Sequence, residues 1–432
     1  MNPEMTDLDQ AVIALGRASH PPERIAVVSS PVLAALKAAG TEHVYADTAD
    51  TDELGPVVAG PGDTIVGEVD GNTVNQPLVR RVVDRYVAGS RMRQCVAELH
   101  QRPAVGGHDV AMYAYTVLCG LIGHDLLARF AGSRRWEVSL QLHMGAVETA
   151  AGLATQLGRC LARMVPGCLV KVPFKPQAPH CFLIARDLER EGIPVNFTST
   201  FSARQAVAAA LLTDASRTNV FLGRLNQGLQ AQLLGEHVTL EAQRSLRELR
   251  ARGRTKTLLI AASMRDWRTF LQLAGCDAFT APPGVLAGFL GQVEVPASEI
   301  VSRLETSVAD RLGVAETVQQ ALGPERLRRL WHVEPEFVDF LLEYGASAEY
   351  RDLLDGEALA HRFEAAGFGD FFHVPNSDEL AVFWRSKLPD VDAPVTRRLA
   401  LDTHYSLLAD TDFNKEQAAI DAAVMGGRAA AA

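Results

Sequence analysis

The chain has 432 residues, of which 47% are hydrophobic and 22% charged, as in an ordinary globular protein. Its net charge of −10 argues against a general nucleic-acid or anionic-membrane surface, but leaves room for a local cationic pocket that binds a small anion. No apolar run reaches the roughly 18 residues of a membrane span, the acidic N-terminus does not resemble a secretory signal, and the six cysteines form no CxxC pair, so we expect a reduced, cytoplasmic protein.

Short apolar segments alternate with longer amphipathic ones between residues 43 and 281. The pattern predicts strands at 43–47, 64–70, 136–142, 168–174, 193–201, 218–225, 255–263 and 276–281. It predicts helices from Pro77 onward, within 88–131, and at 146–164, 181–192, 203–212, 226–252 and 266–275. Strands that alternate with helices pair in parallel, and eight such units close most naturally into a (β/α)8 barrel. A doubly wound open sheet is the alternative architecture.

The β–α rhythm covers only the middle of the chain. We expect a helical or irregular N-terminal extension over 1–40 and a barrel over 41–293. Beyond it, periodicity predicts a mostly helical extension over 294–424, with helices within 297–323 and 357–368, and a frayed tail over 425–432.

One lysine interrupts the apolar strand CLVKVPF, where Lys171 is surrounded by buried residue types. Burying a cation costs free energy unless it is paired or neutralised. A desolvated lysine has a lowered pKa, and its neutral amine is a nucleophile for carbonyl carbon. Two alternatives remain open: an ion pair of Lys171 with Asp47 or Glu137, and Lys175 as the reactive amine.

Other predicted strands also carry polar residues within or directly after their apolar runs. These are Asp47, Asn75, Gln141, Asn196, Thr198 and Asn219. Each alone is typical of a satisfied core or capping group, but in a barrel they converge at the carboxyl ends of the strands, where catalytic sites lie. The histidines are scattered and no HExxH, GxGxxG after the first strand, or GxxxxGK[ST] occurs, so we expect neither a metal nor a cofactor.

Six segments in order resemble the transaldolase family of class I, Schiff-base aldolases, over roughly residues 43–290. They are VYADTADTDEL, TVNQPLV, VKVP, GIPVNFTSTFSARQA, NVFLGRL and AASMRDWRTFLQLAGCDAFTAPPGVL. The resemblance implies that Lys171 forms the imine and that Asp47 transfers protons. It implies further roles for Gln141 and Thr198 in positioning a catalytic water, for Asn75 and Asn196 in binding the intermediates, and for Arg224, Ser263 and Arg265 in binding a sugar phosphate. We also expect Asn219 among the substrate-binding residues.

The chain departs from the family pattern at several positions. Gln141 stands where classical transaldolases have glutamate and resembles the fructose-6-phosphate aldolase subgroup, while Asn219 replaces a serine in the segment that precedes Arg224. With these departures, the resemblance still implies a transaldolase that moves a dihydroxyacetone unit between sugar phosphates. The alternatives are an aldolase of the same chemistry and a non-catalytic sugar-phosphate binder. No nucleic-acid or membrane partner is expected, and a homodimer is left open.

Overall fold

The computed structural model describes residues 6–17, 26–60, 64–102, 109–131, 135–292 and 294–426. Eight parallel strands form a closed barrel in chain order: β1 (His43–Asp47), β2 (Gly71–Val74), β3 (Glu137–Gln141), β4 (Cys168–Pro173), β5 (Val195–Thr198), β6 (Arg217–Phe221), β7 (Leu258–Ala262) and β8 (Ala278–Ala281). The barrel closes because β8 pairs with β1, where Ala278 lies opposite His43. The (β/α)8 barrel is confirmed and the open sheet is wrong.

Helices surround the barrel and continue beyond it. Up to the end of the barrel they are Asp7–Gly16, Pro31–Ala38, Thr51–Val58, Gln76–Val87, Ser90–His100, Asp109–Phe130, Met144–Thr149, Ala151–Met164, Cys181–Arg190, Ala203–Thr213, Leu222–Gly228, Leu234–Ala251, Arg268–Gln272 and Pro283–Leu290. The later helices are Glu316–Leu322, Pro324–Arg328, Pro335–Ala346, Ala348–Arg351, Gly356–Ala365, Ser377–Arg385, Pro394–Arg398 and Leu401–Val424.

The second barrel strand differs from the prediction at 64–70. Only Thr64–Val66 is extended there, and it pairs with Ala26–Val28 outside the barrel. The barrel strand is Gly71–Val74, which has no apolar run to reveal it. A Cβ atom at Gly71 would lie 1.9 Å from the carbonyl oxygen of Glu137, so glycine is needed for β2 to approach β3.

Two long predicted helices are also interrupted. The segment 226–252 holds the end of helix Leu222–Gly228 and the later helix Leu234–Ala251, and Gln230 and Leu233 between them have positive φ angles of 46° and 62°. The segment 146–164 breaks at Ala150, where ψ is 79°. A run of helical periodicity can therefore contain a local break that only the backbone geometry reveals.

Most of segment 297–323 is not helical, contrary to the prediction. It contains two 3-10 turns, Ala297–Glu299 and Ala309–Arg311, a short strand, Gly313–Val314, that pairs with Ala231–Gln232, and one helix, Glu316–Leu322. Its buried apolar residues Ile300, Leu304 and Val308 are spaced as in a helix, but the backbone bonds to the barrel instead: the N–H of Arg303 donates to the carbonyl of Ala274 at 2.7 Å. The helix predicted at 357–368 is present as Gly356–Ala365, and the tail 427–432 lies outside the described residues.

One helix, Asp109–Phe130, is long and apolar enough by length and composition to cross a membrane, although the sequence suggested no such run. Within the barrel protein, 72% of its apolar window is buried. It packs against β3 and several neighbouring helices, as expected of a core helix.

The last helix, Leu401–Val424, here called the C-terminal helix, crosses the carboxyl ends of the strands. Near its start, Asp402 accepts hydrogen bonds from Ser202 and Arg204, which follow β5. Near its end, Gln417 accepts from the side-chain amide of Gln76, which follows β2. The C-terminal region therefore covers the face of the barrel on which catalytic residues of this fold lie.

Candidate active site

A cavity of about 560 Å³ opens at the carboxyl ends of the barrel strands. It is lined by Asp47, Thr73, Asn75, Pro77, Leu78, Arg81, Lys171, Asn219, Phe221, Arg224, Gln227, Ala262, Ser263, Arg265, Thr280, Pro282, Pro283, Ser386, Lys387, Leu388, Asp412 and Phe413. Seven of the ten residues singled out in the sequence thus line one cavity. The other three, Gln141, Asn196 and Thr198, are buried in the strands next to them.

Lys171 lies in the middle of β4 and reaches the cavity, although only 3% of the residue is exposed. Burial lowers the pKa of its amine, and the nearby charge of Asp47 opposes this only in part. Among the described residues, no carboxylate forms an ion pair with it. Glu137, one of the partners considered, instead accepts a hydrogen bond from Tyr45 at 2.6 Å and lies 3.6 Å from Arg217.

Lys175 is fully buried but has quite different surroundings. Its Nζ atom lies 2.9 Å from Glu148 Oε2 and 2.6 Å from Asp410 Oδ1, and donates to the carbonyl of Met144 at 3.3 Å. Although burial alone would lower its pKa, the two carboxylates outweigh that effect and raise it. Lys175 is therefore held as an ammonium ion that ties the C-terminal helix to the barrel, which makes it a poor candidate for the reactive amine.

Asp47 ends β1 and belongs to a hydrogen-bond chain across the barrel mouth. Thr73 donates to its Oδ1 atom at 2.7 Å, and the Thr73 hydroxyl lies 2.6 Å from that of Thr280. Both threonines line the cavity, and the sequence analysis missed them. The polar Thr73 within Gly71–Val74 would have indicated a site residue if this segment had been recognised as a barrel strand.

Three amide side chains and one hydroxyl form a layer beside Lys171. The strand register places Gln141 and Asn196 on either side of Lys171. Asn219 Nδ2 donates to Asn196 Oδ1 and to Thr198 Oγ1, both at 3.1 Å. This pairing fixes the orientation of the Asn196 and Asn219 amides without placing a charge near the lysine.

Gln141 keeps one polar atom without a partner. Its Nε2 group lies 3.4 Å from the sulfur of Met144, and its buried Oε1 atom accepts no hydrogen bond from the described residues. A buried acceptor without a donor costs free energy, which is offset when a small polar ligand binds.

Asn75 has a structural task at the cavity wall. It caps the helix Gln76–Val87, and its Oδ1 atom accepts from the N–H of Leu78 at 3.2 Å. The amide NH₂ of Asn75 is therefore the group that remains available to a ligand.

Two arginines also line the cavity. Arg224 lies in the first turn of the helix Leu222–Gly228, which follows β6, and Arg265 follows β7. A Cβ atom at Gly223 would lie 2.0 Å from the carbonyl oxygen of Ser263, so glycine permits the close approach of these two loops. Ser263 itself has a φ of 65°, a backbone strain that clusters at functional sites.

The two guanidinium groups differ in their surroundings. Arg265 reaches solvent and donates to the carbonyls of Ser263 and Met264. Partial desolvation and the neighbouring charge of Arg224 lower its pKa, yet an arginine stays protonated at neutral pH. Arg224 donates to Asp412 at 2.8 Å, while its buried Nη1 group has no hydrogen-bond partner in the described part of the chain. Two adjacent cations with unused donors suit an anionic ligand.

Comparison with known proteins relates the chain to one family. The family described as Transaldolase/Fructose-6-phosphate aldolase matches residues 44–327. A probable transaldolase of Desulfatibacillum aliphaticivorans is 30% identical over 161 residues, which are 36% of this chain and 68% of that protein. A probable transaldolase of Phenylobacterium zucineum is 27% identical over 248 residues, 56% of this chain and 86% of that protein.

Transaldolase 2 of Salmonella paratyphi A is 30% identical over 173 residues, 37% of this chain and 54% of that protein. The family match covers more than half of the chain. The chain belongs to the transaldolase/fructose-6-phosphate aldolase family.

Proposed function

We propose that the protein is a transaldolase, which transfers a dihydroxyacetone unit from a ketose phosphate to an aldose phosphate through an imine on Lys171. The observation that carries the proposal is the buried amine of Lys171, with a lowered pKa, at the wall of a cavity that also holds two arginines. A lowered pKa increases the neutral fraction of the amine at a given pH, and the neutral amine can attack a ketone carbonyl.

The chemistry begins when the Lys171 amine adds to the ketose carbonyl and the resulting carbinolamine loses water. Asp47 then removes the proton from the hydroxyl next to the bond that breaks, and the electron pair of that bond moves into the iminium, which becomes an enamine. The aldose leaves as an aldehyde. Addition of a second aldehyde to the enamine, with the proton returned by Asp47, reverses these steps, and water hydrolyses the imine.

The remaining polar residues orient these intermediates. Asn75 and Asn196 donate hydrogen bonds to the carbinolamine and imine stages, and Asn219 positions Asn196. Gln141, whose Oε1 atom accepts no hydrogen bond from the described part of the chain, and Thr198 orient the water that is lost and regained. Arg224, Arg265 and Ser263 bind the phosphate of the substrate.

A second candidate function is simple aldol cleavage, in which the product is released without an acceptor. The observation that favours it is Gln141, a neutral amide in the layer beside Lys171. To release the product, the enamine must take a proton at carbon, and water must then hydrolyse the resulting imine. An amide can orient that water but does not ionise near neutral pH, so it cannot accept a proton from the water as a carboxylate can.

Incubation with a ketose phosphate, in the presence and absence of an aldose phosphate, distinguishes the two functions. A transaldolase releases one equivalent of aldose per active site from the donor alone and turns over only when the acceptor is added. An aldolase releases free dihydroxyacetone continuously from the donor. Absence of any product with either mixture, from folded protein, would contradict both.

A further inference from the structure

The C-terminal region supplies part of the cavity wall. Lys387 and its neighbours, with Asp412 and Phe413 of the C-terminal helix, line the same cavity as Arg224. These residues lie beyond the segment 44–327 that matches the family, so the matched part of the chain assigns them no role.

Asp412 joins the two cations on this side of the cavity. Its Oδ2 atom accepts from Arg224 Nη2 at 2.8 Å, and its Oδ1 atom lies 2.7 Å from Lys387 Nζ. Only 3% of the Asp412 side chain is exposed, and the Arg224 guanidinium also lies 5.6 Å from the centre of the Phe413 ring. The carboxylate therefore holds Arg224 and Lys387 side by side in a fixed arrangement.

The charges of the side chains around Arg224 do not cancel. Arg224, Arg265 and Lys387 contribute three positive charges. Asp412 and Asp47, which lines the same cavity and acts on Arg265, contribute two negative charges, so an excess of one positive charge remains among these residues. A phosphate monoester carries about −1.5 to −2 at neutral pH, so it is opposite in sign to this positive excess. The buried Nη1 group of Arg224, without a partner among the described residues, is a donor that such an anion would satisfy.

We propose that Lys387 is a third cation of the phosphate site and contacts the phosphate of the substrate, and that Asp412 is the positioning residue that holds Lys387 beside Arg224. The proposal rests on the proposed function, because it takes the substrate to be a sugar phosphate. It gives the C-terminal region a role in substrate specificity: this region completes the anion site that the barrel loops begin.

Steady-state kinetics with a phosphorylated and an unphosphorylated ketose test the role of Lys387. Lys387→Ala should raise KM for the phosphorylated substrate about tenfold with little change in kcat, the scale for loss of one charge-assisted contact. KM for the unphosphorylated substrate should not change, and Lys387→Arg should restore most of the loss.

Lys256 offers a matched control. Its side chain is 54% exposed and pairs at 2.8 Å with Glu189, which is 4% exposed, much as the 61% exposed Lys387 pairs with Asp412. Lys256 lies before β7, at the opposite end of the barrel, so Lys256→Ala should leave KM and kcat unchanged for both substrates. Equal effects of Lys387→Ala on both substrates, or none, would overturn the proposal.

Asp412 is tested by a double-mutant comparison. If Asp412 positions Lys387, then Lys387→Ala should raise KM for the phosphorylated substrate less in an Asp412→Asn background than in the wild type. An undiminished effect in that background would show that Asp412 does not hold Lys387 in place.

Binding of inorganic phosphate, measured by calorimetry, separates this inference from the proposed reaction. The wild type and Lys256→Ala should bind phosphate alike, and Lys387→Ala should bind it several-fold more weakly. If phosphate binding depends on Lys387 but no ketose phosphate forms an imine, the proposed function fails and the anion site stands. If an imine forms but phosphate binding is independent of Lys387, only this inference fails.

Discussion

Lys171 and Lys175 are both buried, yet their amines have pKa values shifted in opposite directions. Lys171 has no ion-pair partner among the described residues, whereas Lys175 lies against Glu148 and Asp410. Proximity along the chain thus does not make the two lysines equivalent. The environment favours a neutral nucleophile at Lys171 and a permanent cation at Lys175.

The stability of two variants should show this contrast. Because the folded-state pKa of Lys171 lies below its unfolded value, protonation of the amine favours the unfolded state, and Lys171 opposes folding at pH values below the unfolded pKa. Lys171→Met should therefore raise the free energy of unfolding at pH 7 by about 1–3 kcal/mol, the cost of an unsatisfied buried polar group. The gain should shrink as the pH rises toward the unfolded pKa of about 10.4.

Lys175→Met should have the opposite effect. The raised folded-state pKa of Lys175 means that its stabilisation is present at all pH values below the unfolded pKa. Replacement of Lys175 by methionine leaves Asp410 buried without the ammonium group that pairs with it. The free energy of unfolding should therefore fall by about 3–5 kcal/mol. Chemical denaturation of both variants at pH 7 and pH 9 checks the two signs, and equal destabilisation by both would contradict the assignment.

Asp47→Asn should slow carbon–carbon cleavage by roughly 10²–10⁴, the usual effect of removing a general acid/base. The amide oxygen of asparagine can still accept the hydrogen bond from Thr73, so the site should keep its shape. Single-turnover cleavage is the measurement. Asp52→Asn is the control, because it removes the same charge from a nearby side chain that is 82% exposed, and this variant should cleave the substrate at the wild-type rate. Full activity of the Asp47→Asn variant would show that Asp47 has no part in the mechanism.

Arg224→Ala and Arg265→Ala should each lower kcat/KM for a phosphorylated substrate by about 2–4 kcal/mol, the scale for truncation of a charge-assisted contact. The loss should largely vanish for the unphosphorylated substrate, because the missing contact is to the phosphate. Arg268→Ala is the control, since Arg268 is 63% exposed, pairs with Asp266 and lies over the ring of Trp267, outside the lining of the cavity. A loss of equal size for both substrates would show that the arginines are structural.

Gln141→Glu should shift the pH optimum upward and change the ratio of transfer to donor cleavage. A carboxylate next to Lys171 would raise the pKa of the amine, so that a higher pH would be needed to form the neutral nucleophile. Imine formation should survive, since Lys171 is retained. The pH–rate profiles of both reactions provide the measurement, and unchanged profiles would mean that Gln141 does not influence the amine or the water.

The sequence predicted the barrel because its apolar strands and amphipathic helices alternate. The prediction failed where the geometry of the backbone, rather than this alternation, determines the structure. β2 is short and polar, and its place depends on the close contact of Gly71 with Glu137. The segment 297–323 has helical spacing, but hydrogen bonds to the barrel determine its conformation. Neither feature is visible in hydrophobic periodicity.

The site was predictable to the extent that its residues lie on barrel strands. Lys171 and Asp47 could be found because polar residues in or after apolar strands converge in a barrel. Lys387 and Asp412 could not be found in this way, because their positions depend on how the C-terminal helix crosses the barrel mouth. Their local sequence does not differ from that of an ordinary surface segment.

Borohydride trapping tests the central claim, that Lys171 is the imine-forming amine, most directly. Fructose 6-phosphate and borohydride should add a stable mass to the wild type, and fragmentation should place it on Lys171. Lys175→Arg, which keeps the charge of the buried ion pair, should still be trapped, and Lys171→Met should not. An adduct on Lys175, or none on folded wild-type protein with a panel of ketose phosphates, would contradict the account.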